Sequence, residues 1–449
     1  MSEGPGAAGG AGAASTARRG VAADTLWNVV GQVVPALVAL VAIPLLLRGL
    51  GEERFGVLGL TWALVGYLSL FDLGLGRAVT RFAAEALGAG DLARFRTVVW
   101  TGWLVLAVAG VVIGLLALAG SGALAERVLN FSTPAMADEG HRAFMVLSLA
   151  IPAVVLTAGI RGVLEASGHF REANLIRIPL GALSFVAPVL LLPFTRDVAW
   201  HVAAVAGSRA IGVVAYGVAC LRLHPVLRGG VHDLNGAGGV SRAALREMLA
   251  FGSWITVSSV VSPFMVTMDR FVVGAMLTVA AVSVYVTPFE LASRVLILPA
   301  AFSTVLFPRF AAGAGDSYDG SVRLMAMLLA PIVVVGVLVT DVGLQLWVGG
   351  TMAIEAAPVL KWLLVGVFFN GVAHVPFAWL QGHGRADLTA KAHLVEAPLH
   401  LALLWVLVRQ FGVTGAAVAW AARAALDLGL LHGMQRRMAR RAVAAEVAA

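Results

Sequence analysis

The chain has 449 residues, 59% of them hydrophobic and 13% charged, with a mean hydropathy of +0.89. A water-soluble core cannot hide that much apolar side chain, so the composition excludes an ordinary soluble domain and calls for a bilayer. The formal net charge of +7 is distributed over alternate loops between apolar stretches, which argues for membrane topology and against nucleic acid as a partner.

In chain order, the opening MSEGPGAAGGAGAASTARR is rich in Gly, Ala and Ser, and a disordered leader is expected over 1–22. A membrane helix needs about 20 apolar residues. Windows of that kind recur at 26–48, 55–75, 97–119, 143–163, 174–194, 198–220, 250–274, 280–304, 323–346, 358–380, 394–411 and 414–433. The first, from Thr25 to Leu47, is too long for the apolar stretch of a cleaved secretory signal and is followed by no convincing small-residue cleavage site. The windows predict an all-α polytopic membrane protein of twelve transmembrane helices.

Between the sixth and seventh windows lies RLHPVLRGGVHDLNGAGGVSR (222–242), polar, basic and Gly-rich. It divides the chain into a six-helix lobe over 23–222, a cytoplasmic linker over 223–245, a second six-helix lobe over 246–433 and a basic cytoplasmic tail over 434–449. A shift of 228 positions lays Pro35 on Pro263 and Arg81-Phe82-Ala83-Ala84 on Arg309-Phe310-Ala311-Ala312. Each proline falls in the first span of its half and each RFAA follows the second. Six spans per half give both halves the same orientation, related by a pseudo-two-fold axis along the membrane normal, and such lobes can rock to open a central cleft to either side.

The basic residues sort by loop. Arg48, Arg54, Arg127, Arg142, Arg196, Lys361 and Arg409 flank one side, while about two-thirds of the cations, including Arg18, Arg19 and the Arg436–Arg441 tail, flank the other. Both termini are therefore expected in the cytoplasm, as an even number of spans also requires. Thirty arginines against two lysines point to a GC-rich bacterial genome.

An ionisable side chain at mid-bilayer costs about 2.5–3.5 kcal/mol on insertion scales, so each must face protein or a wet cavity. The sixth, seventh, eighth and twelfth windows carry Arg209, Arg270, Arg294 and Arg423, arginines from both halves at similar depth, which a cationic cleft between lobes explains economically. A guanidinium keeps its charge when desolvated and grips phosphate oxygens with two donors, so the cleft suits an anion. Asp72, Asp269, Glu290 and Asp427 are candidates for coupling or gating, because a carboxylate can compete for an arginine or carry a proton or sodium ion. Asn28, Gln32, Tyr67, Thr256, Ser259, Thr287, Asn370 and His374 are candidate polar lining. A structural reading stands beside each assignment: Glu290–Arg294, Arg423–Asp427 and Arg161–Glu165 have the i,i+4 spacing of neutralising pairs, and Ser, Thr and Gly stripes pack helices.

No GxxxxGK[ST], HExxH, CxxC or DxD occurs, and the loops between windows are too short for a catalytic domain, so no enzyme, cofactor or metal site is expected. Cys220 is the single cysteine and permits no intramolecular disulfide.

The stretch WNVVGQVVPALVALVAIPLLLRGLGEERFGVLGLTWALVGYLSLFDLGLGRAVTRFAAE (27–85) resembles the opening of the polysaccharide-transporter branch of the multidrug/oligosaccharidyl-lipid/polysaccharide (MOP) flippase superfamily, the O-antigen flippase type. RGVLEASGHFREANLIRIP (161–179) and MDRFVVGAML (268–277) extend the likeness. The resemblance implies a V-shaped pair of six-helix lobes in the bacterial inner membrane. It also implies flipping of an undecaprenyl-pyrophosphate-linked oligosaccharide for lipopolysaccharide or other surface glycan, without ATP, with a glycan polymerase and chain-length regulator as associated partners. Arg209, Arg270, Arg294 and Arg423 are the residues whose type and depth match its cationic cavity. The alternatives left open are a proton- or sodium-coupled exporter of an amphiphilic small molecule and a membrane glycan polymerase or ligase.

Overall fold

The computed structural model describes residues 30–70, 75–229, 239–311 and 318–448. Every regular element among them is helical: α1 (Val30–Leu50), α2 (Glu52–Leu70), α3 (Leu75–Gly88), α4 (Leu92–Ala123), α5 (Pro134–Ala166), α6 (Phe170–Leu191), α7 (Val198–Leu223), α8 (Arg242–Met276), α9 (Val279–Arg294), α10 (Ile297–Ala311), α11 (Tyr318–Trp347), α12 (Gly350–Gly382) and α13 (Ala386–Ala448). Short π and 3-10 turns follow α4 and α7. Among the described residues, eight helices are long and apolar enough to cross a membrane, or nine when α9 and α10, bent by 41°, count as one broken span.

Local chemistry sets where the helices begin. Asp91, Thr133, Asp197, Ser241 and Thr278 each accept a hydrogen bond from a backbone N–H in the first turn of α4, α5, α7, α8 and α9, and Pro134 follows its cap directly. The eleventh and twelfth apolar windows form one element, α13, because the helix resumes directly after Gly412, whose φ of 59° breaks it at a residue without a Cβ.

Helices of the first half pack mainly on one another, with α5 against α2, α3, α4 and α7 and with α6 against α7; in the second half α12 packs on α9, α10, α11 and α13. The main crossing between these groups is α2 on α9. Gly59 makes room for it: a Cβ there would lie 3.1 Å from both methyls of Val286. The core runs continuously through this crossing, with Phe55, Leu58 and Leu60 packed in one cluster with Tyr285 and Val286.

Polar ties fasten the helix ends. The Asn130 N–H donates to the Gly274 carbonyl at 3.0 Å, its own carbonyl accepts from Val279 N–H at 3.0 Å, and its side chain donates to Leu277 O at 3.2 Å. Glu53 accepts from the N–H and hydroxyl of Ser132. At the opposite helix ends, Arg94 pairs with Glu247 at 3.0 Å and Ser241 N–H donates to Thr101 Oγ1. The two halves are thus tied at both ends of α8, by Asn130 at its C-terminal end and by Arg94 and Thr101 at its N-terminal end.

Glu139 is the most heavily used of these groups. It is buried, accepts from Arg54 Nε and Nη2 at 2.7 and 3.0 Å, and accepts from the first N–H of α7, on Val198, at 2.6 Å. One carboxylate so joins α2, α5 and α7. Glu139→Ala leaves a half-buried guanidinium and a buried N–H unpaired and is expected to cost about 3 kcal/mol, read as a lower thermal midpoint of the purified protein, whereas Asp138→Ala next to it leaves the midpoint nearly unchanged.

Candidate functional site

Two adjoining chambers open between the helices. The first, of about 580 Å³, is walled by α1, α2, α5, α6 and α7, with α9 and α10 closing one side. The second, of about 700 Å³, is walled by α2, α8, α9, α12 and α13. Trp62, Gly66, Glu290 and Leu296 line both and form the partition.

The first chamber holds Arg161, Arg177, Arg209 and Arg294. Arg294 pairs with Glu290 at 2.5 Å and Arg161 with Glu165 at 3.1 Å, so these two i,i+4 pairs form as their spacing allows. Arg209 donates from Nη2 to Ser184 Oγ at 2.8 Å, and its Nε is buried with no protein acceptor. Pro35 of α1 and Gln32 one turn before it also face this space. Trp62 is fixed at the partition by an N–H bond to the Ser184 carbonyl at 3.3 Å and by ring contacts with Phe55 and Phe185.

The second chamber carries Arg77, Arg270 and Arg423, with Asp427 on its wall. Arg270 donates to the Val266 carbonyl at 3.0 Å and lies 4.2 Å over the Phe289 ring, a cation–π contact that holds the guanidinium flat against the wall. Arg423 reaches Glu396 at 3.9 Å and forms no ion pair with Asp427, so the i,i+4 pairing expected between those two is absent among the described residues. Aromatic groups supply much of the remaining wall: Trp62, Tyr67, Phe289, Phe377 and Trp420, interleaved with Asn370, His374 and Gln381.

Of the residues expected from the sequence, Gln32, Arg209, Glu290 and Arg294 line the first chamber, and Tyr67, Arg270, Glu290, Asn370, His374, Arg423 and Asp427 line the second. Asp269 and Thr287 do not line either; both are fully buried behind the second chamber. Asn28 and Asp72 lie outside the described residues, as do the side chains of Thr256 and Ser259 on α8.

Asp269 is at the centre of a closed polar group. Its two carboxylate oxygens take a hydrogen bond from Tyr285 OH at 2.8 Å and a 2.8 Å contact with His400 Nε2, with all three side chains buried. This ties α8, α9 and α13 together. Nearby, the donor atoms of His393, Glu396 and Asp427 lie within 4.8 Å of one another, and neither oxygen of Glu396 meets a protein donor in hydrogen-bond geometry. Two carboxylates and an imidazole so placed can hold a proton between them or a small cation, with the Arg423 charge opposing a divalent one. His393, Glu396 and His400 escaped the sequence reading, although their spacing of three and four in an apolar helix puts them on one face. Arg161 was read there as one member of an i,i+4 pair and Arg177 was not singled out for the site, because a hydropathy window does not tell a cation at a helix end from one that faces a cavity.

The fold matches that of multidrug transporters of the MOP superfamily. An inward-facing multidrug resistance MATE family transporter superposes with a TM-score of 0.71 at 16% identity, over 91% of this chain and 97% of that one. Residues 21–313 match the family model described as polysaccharide biosynthesis protein, and the chain belongs to that family. It is 30% identical over 92% of its length to a protein of Shigella flexneri named "Putative O-antigen transporter", of which it covers 97%. It is also 25% identical over 42% of its length to a Haloferax volcanii protein named "Probable low-salt glycan biosynthesis flippase", of which it covers 41%.

The Asp269 group makes a stability prediction separate from transport. Asp269→Ala strands a buried tyrosine hydroxyl and an imidazole and is expected to cost about 3 kcal/mol, read as a fall in thermal midpoint, and Asp269→Asn, which keeps one acceptor, about half as much.

Proposed function

We propose that this chain is a flippase that moves a polyprenyl-pyrophosphate-linked oligosaccharide across the bacterial inner membrane for cell-surface polysaccharide biosynthesis. The carrying observation is that guanidinium groups from both halves, Arg209, Arg270, Arg294 and Arg423, line adjoining chambers in a helical membrane protein of a polysaccharide biosynthesis family. The O-antigen transporter and glycan flippase named among its relatives support the same reading. Lipids surround the helices, the polyprenyl tail stays among them, and the pyrophosphate and sugars occupy the chambers. The substrate crosses without bond chemistry, so the protein works as a carrier and not as an enzyme.

The arrangement is read as twelve spans in two six-helix lobes with both termini in the cytoplasm. Helices α2 and α3 answer α9 and α10 at nearly the 228-residue offset. At that same offset Pro35, on the first chamber, answers Pro263 on the second, and Trp62 answers Glu290, two of the four residues that line both. Alternating access follows when the two groups rock about the α2–α9 crossing. Asp427 and Glu290 border the chambers as candidates for coupling, while Asp269 holds three helices together and is placed to gate only through them.

The test is export in the living cell. Arg270→Ala and Arg294→Ala are expected to abolish surface glycan while the protein stays in the membrane fraction, and removal of the gene is expected to build up lipid-linked oligosaccharide on the cytoplasmic leaflet. Unchanged export in both variants makes these arginines structural. Lipid-linked units that reach the outer leaflet without polymerising favour a polymerase.

A further inference from the structure

The charges of the two chambers are not balanced alike. In the second, three buried carboxylates stand in or just behind the wall: Asp427, Glu396 beside Arg423, and Asp269 next in sequence to Arg270. In the first, Glu290 answers Arg294 and Glu165 answers Arg161, but among the described residues no carboxylate forms an ion pair with Arg177 or Arg209. Arg209 reaches a hydroxyl, and one of its buried nitrogens finds no protein acceptor. Two guanidinium charges are therefore left over, and they share a wall with Ser69, Thr157, Ser208 and Tyr216. An unneutralised cation inside a membrane protein is costly unless a ligand or water supplies its counter-charge.

We propose that the pyrophosphate is held in the first chamber by Arg177 and Arg209, with Arg161 at the chamber's entry, while the sugars lie in the aromatic second chamber. The inference rests on the flippase reading and assigns the two ends of its substrate. A diphosphate diester carries two negative charges, which match the surplus, and its non-bridging oxygens suit forked donors. The arginines are also staggered. With both termini in the cytoplasm, Arg161 lies five residues from the inner end of α5, Arg177 seven residues into α6, and Arg209 fourteen residues from the inner end of α7. At 1.5 Å per residue these are depths of about 8, 10 and 20 Å, so an anion entering from the cytoplasm meets Arg161 and Arg177 before Arg209. The second chamber has little spare charge but offers flat rings, Tyr67 and Phe377 among them, and the amides of Asn370 and Gln381. Rings that cover the apolar faces of a sugar, with amides for its hydroxyls, are the usual makeup of a site that selects a neutral polar ligand. The partition is crossed between Trp62 and Glu290, so the phosphates and first sugar sit on either side of it.

Gly31 on α1 gives a second handle on the anion subsite. A Cβ there would lie 2.7 Å from Asn174 Oδ1 and 3.7 Å from Arg177 Cζ, so a larger side chain displaces the arginine without removing its charge.

The experiment is equilibrium binding of two probes to the purified full-length protein: a sugar-free polyprenyl diphosphate, and the same lipid carrying its oligosaccharide. Arg177→Ala, Arg209→Ala and Gly31→Leu are each expected to weaken the sugar-free probe by about tenfold to a hundredfold. Phe377→Ala and Asn370→Ala are expected to weaken the glycosylated probe while leaving the sugar-free one within about twofold of wild type. Arg177→Lys and Arg209→Lys keep the charge without the fork, and an intermediate loss in them supports the assignment where an alanine variant fails to fold. The opposite pattern, in which Arg270→Ala and Arg423→Ala lose the sugar-free probe and Arg177→Ala and Arg209→Ala keep it, overturns the assignment but leaves the flippase reading standing. A wild-type protein that binds neither probe overturns both.

Discussion

The constraint on which this structure depends is that a guanidinium cannot be left bare in hydrocarbon. The intramembrane arginines meet this constraint in different ways. Arg294 and Arg161 are met by a carboxylate one helical turn away, Arg270 by a carbonyl and the face of Phe289, and Arg423 by Glu396 from the facing segment of α13. Arg209 has a serine hydroxyl and open chamber. Because burial without such partners costs several kcal/mol, the pattern of answers separates arginines that serve packing from those whose charge stays available.

The same constraint explains why the chambers lie where they do. Prolines recur inside the helices that wall them, Pro35 in α1 and Pro263 in α8 among them, and each proline removes one intrahelical hydrogen bond. Polar side chains line the chambers beside them. Where glycine takes the place of a larger residue, as at Gly59 against Val286, the bundle closes instead and the halves meet through backbone and methyl groups.

Much of this was legible in the sequence. Hydropathy windows located the long apolar helices, while α3 falls almost wholly outside them and eight or nine of the described helices qualify as spans. Arg209, Arg270, Arg294 and Arg423 line the chambers, as a charge that needs protein or water around it must. The limits were physical. A bend such as that at Gly412, or the break between α9 and α10, depends on one residue's backbone angle and is invisible to a window of about 20 residues. Side-chain partners at long range were equally hidden: Asp269 stood in the sequence as a coupling or gating candidate, yet its partner His400 lies 131 residues away. Arg423 illustrates the point from the other side, because the spacing to Asp427 was right and the segment of α13 before Gly412 offered a different carboxylate, Glu396. Composition of a helix states what must be neutralised, and tertiary packing decides by whom.

The wall shared by the chambers has one more implication. Trp62 and Glu290 occupy equivalent positions under the 228-residue offset, but one contributes a neutral indole and the other an acid clasped by Arg294. A carrier built from interchangeable halves would present the same landscape to cargo approaching along either limb of its cycle. With an indole on one side and an ionic latch on the other, the partition presents two chemically unlike faces, and a molecule passing between the chambers meets a neutral plate and a charged clasp at the same point.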